Sequence, residues 1–214
     1  MERFIIAIDG PSGSGKSTVA RSVAERTGCR YLDTGAMYRS LTLIALREGL
    51  DPESGAKLAE RLRDLVIEFV PGGIRLDGED VSVAIRTGEV TRLVARIAAH
   101  PAIRAEMVTK QRAAWPGQNM VVEGRDIGTV VFPDACLKVF LTASPDERAV
   151  RRAKETGRRV EEIRREQSDR DALDRGREHS PLVEAEDAVR IDTTGLTIEE
   201  VVERVTALVE SAAP

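Results

Sequence analysis

Gly10, Gly15, Lys16 and Ser17 stand in the run GPSGSGKST, residues 10–18, and fill every fixed position of a G-x-x-x-x-G-K-[ST] pattern. Glycines at this spacing let the backbone wrap closely, so that its N–H groups converge on phosphate oxygens. A helix N-terminus directly after the loop adds partial positive charge. The chemistry is the binding of a nucleoside triphosphate. Gly10, Pro11, Ser12, Gly13, Ser14, Gly15, Lys16, Ser17 and Thr18 form the cradle, Lys16 reaches the β- and γ-phosphates, and the Ser17 hydroxyl ligates magnesium. A flexible glycine-serine turn would need neither the lysine nor the ordered flanks.

Those flanks are the elements the pattern requires. Phe4-Ile5-Ile6-Ala7-Ile8 is short, apolar and β-branched, as a strand buried on both faces is. Val19, Ala20, Val23 and Ala24 recur at helical spacing, and Gly28 sits where a helix stops. Further on, the periodicity predicts a strand over 29–32 ending at Asp33, a helix over 36–46 stopping at Gly49, and a helix opened by Pro52. The texture then changes. Residues 66–70, 74–76 and 80–83 alternate like strands, with Pro71-Gly72-Gly73 and Asp77-Gly78 as turns. Two helices follow, the second opening at Pro101. Residues 120–122 and 136–141 are again short buried strands. Ser144-Pro145-Asp146-Glu147 and Thr197-Ile198-Glu199-Glu200 are capping boxes, with a last strand over 189–192 and a closing helix over 198–209. Strands alternating with helices argue a parallel α/β sheet carrying a small antiparallel insertion.

The 214 residues, 42% hydrophobic, suit one domain of ordinary size. Aromatics make up only 3%, so Val, Ile, Leu and Ala must build the core. A net charge of -4 argues against a general nucleic-acid surface. Cys29 and Cys136 have no metal-ligand spacing and fit a reduced, cytoplasmic chain. No signal peptide or membrane-spanning run is read, and two histidines make a histidine-based metal site unexpected. A monomer is expected, with small nucleotides as partners and neither nucleic acid nor membrane.

A phosphate loop names a nucleotide and leaves the reaction open. The Asn-Lys-x-Asp of a guanine reader is absent, as is an apolar strand ending in Asp-Glu of the motor-ATPase kind. Instead, arginines stand near the ends of the expected elements: Arg39, Arg104, Arg125, Arg170 and Arg177. Glu123-Gly124-Arg125-Asp126 falls at the carboxyl end of a buried strand, where ligands sit in open α/β sheets. An arginine fork there suits a second phosphate, and Asp126 could face a base. Tyr38 and Trp115 are both able to stack on a base, and Trp115 is read as packing. Most charges over 147–179, including Arg151, Arg152, Arg164 and Arg165, read as a solvated helix face. The exception is RDALDRGR, residues 170–177, dense enough in charge to order when phosphates arrive.

The segments IDGPSGSGKST, LDTGAMYR, DGEDVSVAIRTGEV, EGRDIGTVVFPDA and RDALDRGREHSPL span nearly the whole chain, and in this order they resemble the bacterial cytidylate kinases. The resemblance implies a three-layer P-loop fold with a parallel central sheet, a small antiparallel insertion for the acceptor monophosphate, and a helical lid. The core would be residues 1–60, 116–149 and 180–214, the insertion 61–115 and the lid 150–179. It implies transfer of the ATP γ-phosphoryl group to CMP or dCMP, with Mg2+. Carried over residue by residue, Lys16 and Ser17 serve ATP and magnesium, and Arg39 and Arg125 hold the monophosphate. Arg104 and Asp126 read cytosine, Arg170 and Asp174 contact ribose and phosphate, and Arg177 closes with the lid. Thr34 and Tyr38 belong to the acceptor set, Thr34 keeping the hydroxyl of the serine some members have. Lys16, Arg125, Arg170 and Arg177 are the catalytic candidates. Ala95 stands where the family often has a serine that helps read the base, a loss of one hydrogen bond worth about 0.5–1.5 kcal/mol. Two other readings stay open: a small-metabolite kinase of the shikimate or dephospho-coenzyme A kind, and a non-catalytic nucleotide-binding module.

Overall fold

The β-branched run after Phe4 forms a strand whose last four residues are buried. The glycine loop leaves it, and a helix begins directly at Lys16. The structure is a computed structural model that describes residues 4–114 and 117–212; Trp115 lies outside the described residues. In chain order the elements are β1 (Ile5–Asp9), α1 (Lys16–Thr27), β2 (Arg30–Asp33), α2 (Thr34–Arg47), α3 (Gly55–Asp64), β3 (Ile67–Val70), β4 (Gly73–Leu76), β5 (Glu79–Asp80), α4 (Gly88–Ile97), α5 (Pro101–Ala113), β6 (Met120–Gly124), β7 (Leu137–Thr142), α6 (Pro145–Thr156), α7 (Val160–Arg175), β8 (Val189–Asp192) and α8 (Ile198–Ala212). A 3-10 turn (Ala84–Arg86) precedes α4, and a π-helical turn (Ile127–Val131) follows β6.

The chain packs as two units, one built from residues 4–32 with 117–212 and the other from Asp33–Ala114. The first holds a five-stranded sheet in the order β2-β6-β1-β7-β8. β1 lies parallel to β6 on one side and β7 on the other, and β8 is parallel to β7. Helices α1 and α8 cover this sheet with Val19, Val23, Val201, Val202, Val205 and Val209, packed against Ile6, Ile8, Val121, Val139 and Leu141. Aliphatic side chains carry this core, as the low aromatic content requires. In register, Asp9 sits opposite Gly124, and Ile8 opposite Glu123. The carboxyl ends of β1 and β6 therefore place two carboxylates next to the glycine loop.

In the second unit a three-stranded antiparallel sheet, β3-β4-β5, accompanies α2 to α5. Asp77 and Gly78 both have positive φ, 50° and 85°, and join β4 to β5 as a two-residue hairpin turn. Leu58, Leu62, Ile85, Val90, Ile97, Ile103 and Met107 are fully buried.

Several expected boundaries move by one to three residues, and two of the shifts have a visible cause. The helix anticipated at Pro52 begins at Gly55, because Asp51 first captures the Glu53 N–H with its side chain and the Ser54 N–H with its carbonyl. The strand anticipated to Val83 stops at Asp80, whose carboxylate takes both the N–H and the hydroxyl of Ser82. Of the two capping boxes, that of Thr197 and Glu200 is reciprocal. That of Ser144 is half formed: its hydroxyl accepts from the Glu147 N–H, but its own N–H donates to Thr194 Oγ1.

Candidate active site

The loop over residues 10–18 is shaped by backbone that only glycine adopts readily. Gly10, Gly13 and Gly15 have φ of 151°, 79° and 88°. A Cβ on Gly10 would sit 2.0 Å from the Leu141 carbonyl oxygen, so the loop leaves the sheet at the closest approach backbone allows. Gly15 caps α1 in the left-handed conformation with no side-chain hydrogen bond, which leaves the first-turn N–H groups to a ligand. Lys16 is buried and donates from Nζ to the Pro11 carbonyl at 2.8 Å. Burial pushes its ammonium down to about 7, Arg125 and Arg170 add repulsion, and Glu123 and Asp9 offset part of it.

Two carboxylates that the sequence reading passed over stand beside this lysine. Glu123 is buried and accepts from Ser17 Oγ at 3.0 Å and from the Tyr31 hydroxyl at 2.5 Å. Asp9 accepts from the N–H groups of Ile127 and Gly128 at 2.9 and 2.8 Å, and so holds the π-helical turn after Arg125-Asp126. Burial raises its carboxyl to about 6, against the pull of those two N–H groups and with a push from neighbouring Asp126. Asp9 ends β1 and Glu123 is the last residue but one of β6, and that position at the end of an apolar strand was the available signal.

Arg125, Arg170, Asp174 and Arg177 are brought together. The Asp174 side chain is 1% exposed and is surrounded by Arg125 Nε at 3.0 Å, Arg170 Nε at 4.0 Å and the Arg177 guanidinium. Burial alone would raise its carboxyl, but the three guanidiniums prevail and hold it below the ordinary aspartate value. Asp126 is also buried, one residue beyond Arg125.

The other anticipated acceptor residues lie in the second unit. Thr34 opens α2 and is buried. Tyr38 and Arg104 are paired, the guanidinium 5.6 Å from the ring centre, with Arg104 Nη1 also donating to the Ala98 carbonyl at 3.2 Å. Arg39 Nη1 donates to Thr91 Oγ1 at 2.9 Å and to the Ile85 carbonyl at 3.2 Å. Ala95 is buried on α4.

The charged segment divides. Arg152 pairs with Glu155, and Arg164 with Asp146, at the surface as expected. Arg151 does not belong to that face: it donates to Oγ1 and the carbonyl of Thr193, whose hydroxyl lies 3.3 Å from the Ser14 carbonyl.

A family model described as cytidylate kinase matches residues 6–211. A cytidylate kinase of Bacillus cytotoxicus is 47% identical over 220 residues, covering 99% of this chain and 98% of its own. One of Caldanaerobacter subterraneus is 50% identical over 205 residues, covering 94% and 92%. A solved structure from Thermus thermophilus, 19% identical with a TM-score of 0.52 and covering 100% of each chain, is similar in fold. With a family match across nearly its whole length and the phosphate loop at its start intact, this chain belongs to the cytidylate kinase family.

Proposed function

We propose that the protein transfers the γ-phosphoryl group of ATP to the 5′-phosphate of CMP or dCMP, giving ADP and CDP or dCDP. The observation that carries this reading is a complete donor loop, with Lys16 and Ser17 in place, in a chain belonging to this family along nearly its full length. The acceptor oxygen is already anionic at neutral pH, so no strong general base is required. Catalysis is positioning and charge neutralisation. Lys16 meets the β- and γ-phosphates, and Arg125, Arg170 and Arg177 spread positive charge over the transferring group. Asp174 holds these arginines in register. In the second unit Arg39 takes the monophosphate, Arg104 reads cytosine, and Thr34 and Tyr38 complete the set. In the first unit Asp126 accepts from the cytosine amino group. We read residues 61–115 as the acceptor insertion and 150–179 as the lid, within a cytoplasmic monomer whose partners are small nucleotides. Among the described residues no helix is long and apolar enough to cross a membrane.

The donor set suits magnesium. Ser17 Oγ and the Glu123 carboxylate are hard oxygen donors 3.0 Å apart at the foot of the loop. Magnesium takes few protein ligands and keeps waters and phosphate oxygens for the rest. When bound, magnesium neutralises part of the triphosphate charge. Coupled measurement of ADP release against CMP, dCMP, UMP, AMP, GMP, shikimate and dephospho-coenzyme A tests the proposal. CMP and dCMP are expected to have the highest kcat/KM, and a higher value for any other acceptor overturns the assignment.

A further inference from the structure

Helix α7 buries a polar face at Gln167, Asp171 and Asp174, positions spaced by four and three on one side of the helix. Asp174 holds the arginine cluster. The other two point to the phosphate loop through one residue, Arg148 of α6. Arg148 is 5% exposed. Its Nη1 lies 2.7 Å from Asp171 Oδ2 and donates to the Ser12 carbonyl at 2.9 Å, while Nε donates to the Ala143 carbonyl at 3.2 Å. Gln167 Nε2 donates to the Arg148 carbonyl at 3.3 Å, and a Cβ on Gly13 would meet that same Nε2 at 2.6 Å. Gly13 is thus packed closely against Gln167 of α7 and Arg148 of α6. The second carboxylate oxygen of Asp171 has no hydrogen-bond donor among the described residues, so its buried charge depends on Arg148.

We infer that Arg148 and Asp171 are positioning residues that couple the phosphate loop to the arginine cluster of α7. One guanidinium fixes the Ser12 carbonyl, turning the loop's N–H groups inward, and through Asp171 fixes the rotation and height of α7. Asp174 sits on the same face less than one turn further on. The register that places Arg170 and Arg177 is therefore set at the loop that holds the donor phosphates. A planar, forked cation suits this role, because it serves a carboxylate and two carbonyls in one orientation. The inference rests on the phosphotransfer reading above.

The test is a double-substitution cycle on the full-length enzyme with Asp171→Asn, which keeps the shape of the side chain, and Arg177→Ala. Asp171→Asn is expected to lower kcat about tenfold or more while KM for CMP stays within about twofold. In its background Arg177→Ala should cost at least about threefold less than it costs alone, while the shifts in thermal midpoint add. Additive rate losses, or an unchanged kcat in Asp171→Asn, overturn the coupling, since a merely stabilising pair moves the midpoint and leaves the cycle additive. If Asp171→Asn does not fold, Arg148→Lys carries the same cycle. Titration with a non-hydrolysable ATP analogue needs no acceptor and should show the same non-additivity. Turnover of CMP by the unsubstituted enzyme, measured alongside, reports separately on the phosphotransfer reading.

Discussion

Asp174 Oδ2 lies 3.0 Å from Arg125 Nε, joining the last turn of α7 to the residue that follows β6. One buried carboxylate thereby holds the arginine after β6, an arginine within α7 and one just past its end in a single cluster. Asp174→Asn should lower kcat by about tenfold or more and destabilise the fold, because three guanidiniums would then lose the buried carboxylate they share. The pH dependence has a definite sign. Asp174 titrates lower folded than unfolded, so its contribution is present above the ordinary aspartate value and is lost as pH falls through the depressed one. The stability gap between the two proteins, from urea unfolding at a series of pH values, should be wide at pH 7 and narrow on going below about 4. A gap that widens in acid contradicts the cluster's role.

Lys16→Met should reduce turnover at least about a hundredfold, since a charge aimed at the transferring group is worth several kcal/mol. CMP should still bind, because on the proposed reading Lys16 serves the other substrate. Burial holds the free lysine at about 7, and triphosphate brings the anionic partner that restores its charge. ATP binding at pH 8 should therefore take up a proton, seen as a calorimetric heat that varies with the ionisation enthalpy of the buffer. Heats that are the same in phosphate and Tris would contradict it.

Arg39 owes part of its orientation to Thr91 Oγ1 at 2.9 Å. Thr91→Val keeps the volume and removes the hydroxyl, leaving the Ile85 carbonyl as a hold on the same nitrogen. About 1 kcal/mol is at stake, so KM for CMP should rise roughly fivefold with kcat nearly unchanged. A fall in kcat at constant KM would instead place Thr91 in the chemical step.

Cytosine offers an amino donor where uracil offers a carbonyl. On the proposed reading the Asp126 carboxylate would accept from the first and repel the second. Such discrimination is worth about 1–3 kcal/mol, roughly ten- to two-hundredfold in kcat/KM, with Ala95 placing it toward the lower end. Asp126→Asn should narrow the CMP-to-UMP ratio, because an amide can turn its donor to uracil. Kinetics with both acceptors on both proteins measure this, and an unchanged ratio removes Asp126 from base reading.

The phosphate loop, the buried strands and both hairpin turns were legible in the sequence because each rests on local constraints: glycine conformations, β-branched runs, an Asp-Gly pair. What escaped depends on partners distant in the chain. Glu123 is 106 residues from Ser17, and Arg148 is 136 from Ser12. Arg151 obeys the i,i+4 surface pattern through Glu147 and is nonetheless held by Thr193. A short-range pattern cannot distinguish a helix arginine that reaches water from one that reaches a neighbouring loop.

The approach of Gly10 to Leu141 also sets what this loop can become. Randomising residues 10–18 and selecting for folded protein should return glycine at position 10 without exception, since any Cβ there meets backbone that cannot retreat without opening the β1–β7 seam. At Gly28 and Gly49, also of positive φ, a Cβ would meet nothing within 4 Å. Asparagine, which tolerates left-handed backbone, is admissible at both. Among glycines that look alike in the sequence, then, one is frozen by its neighbours, and the others are held by the handedness of their own backbone alone.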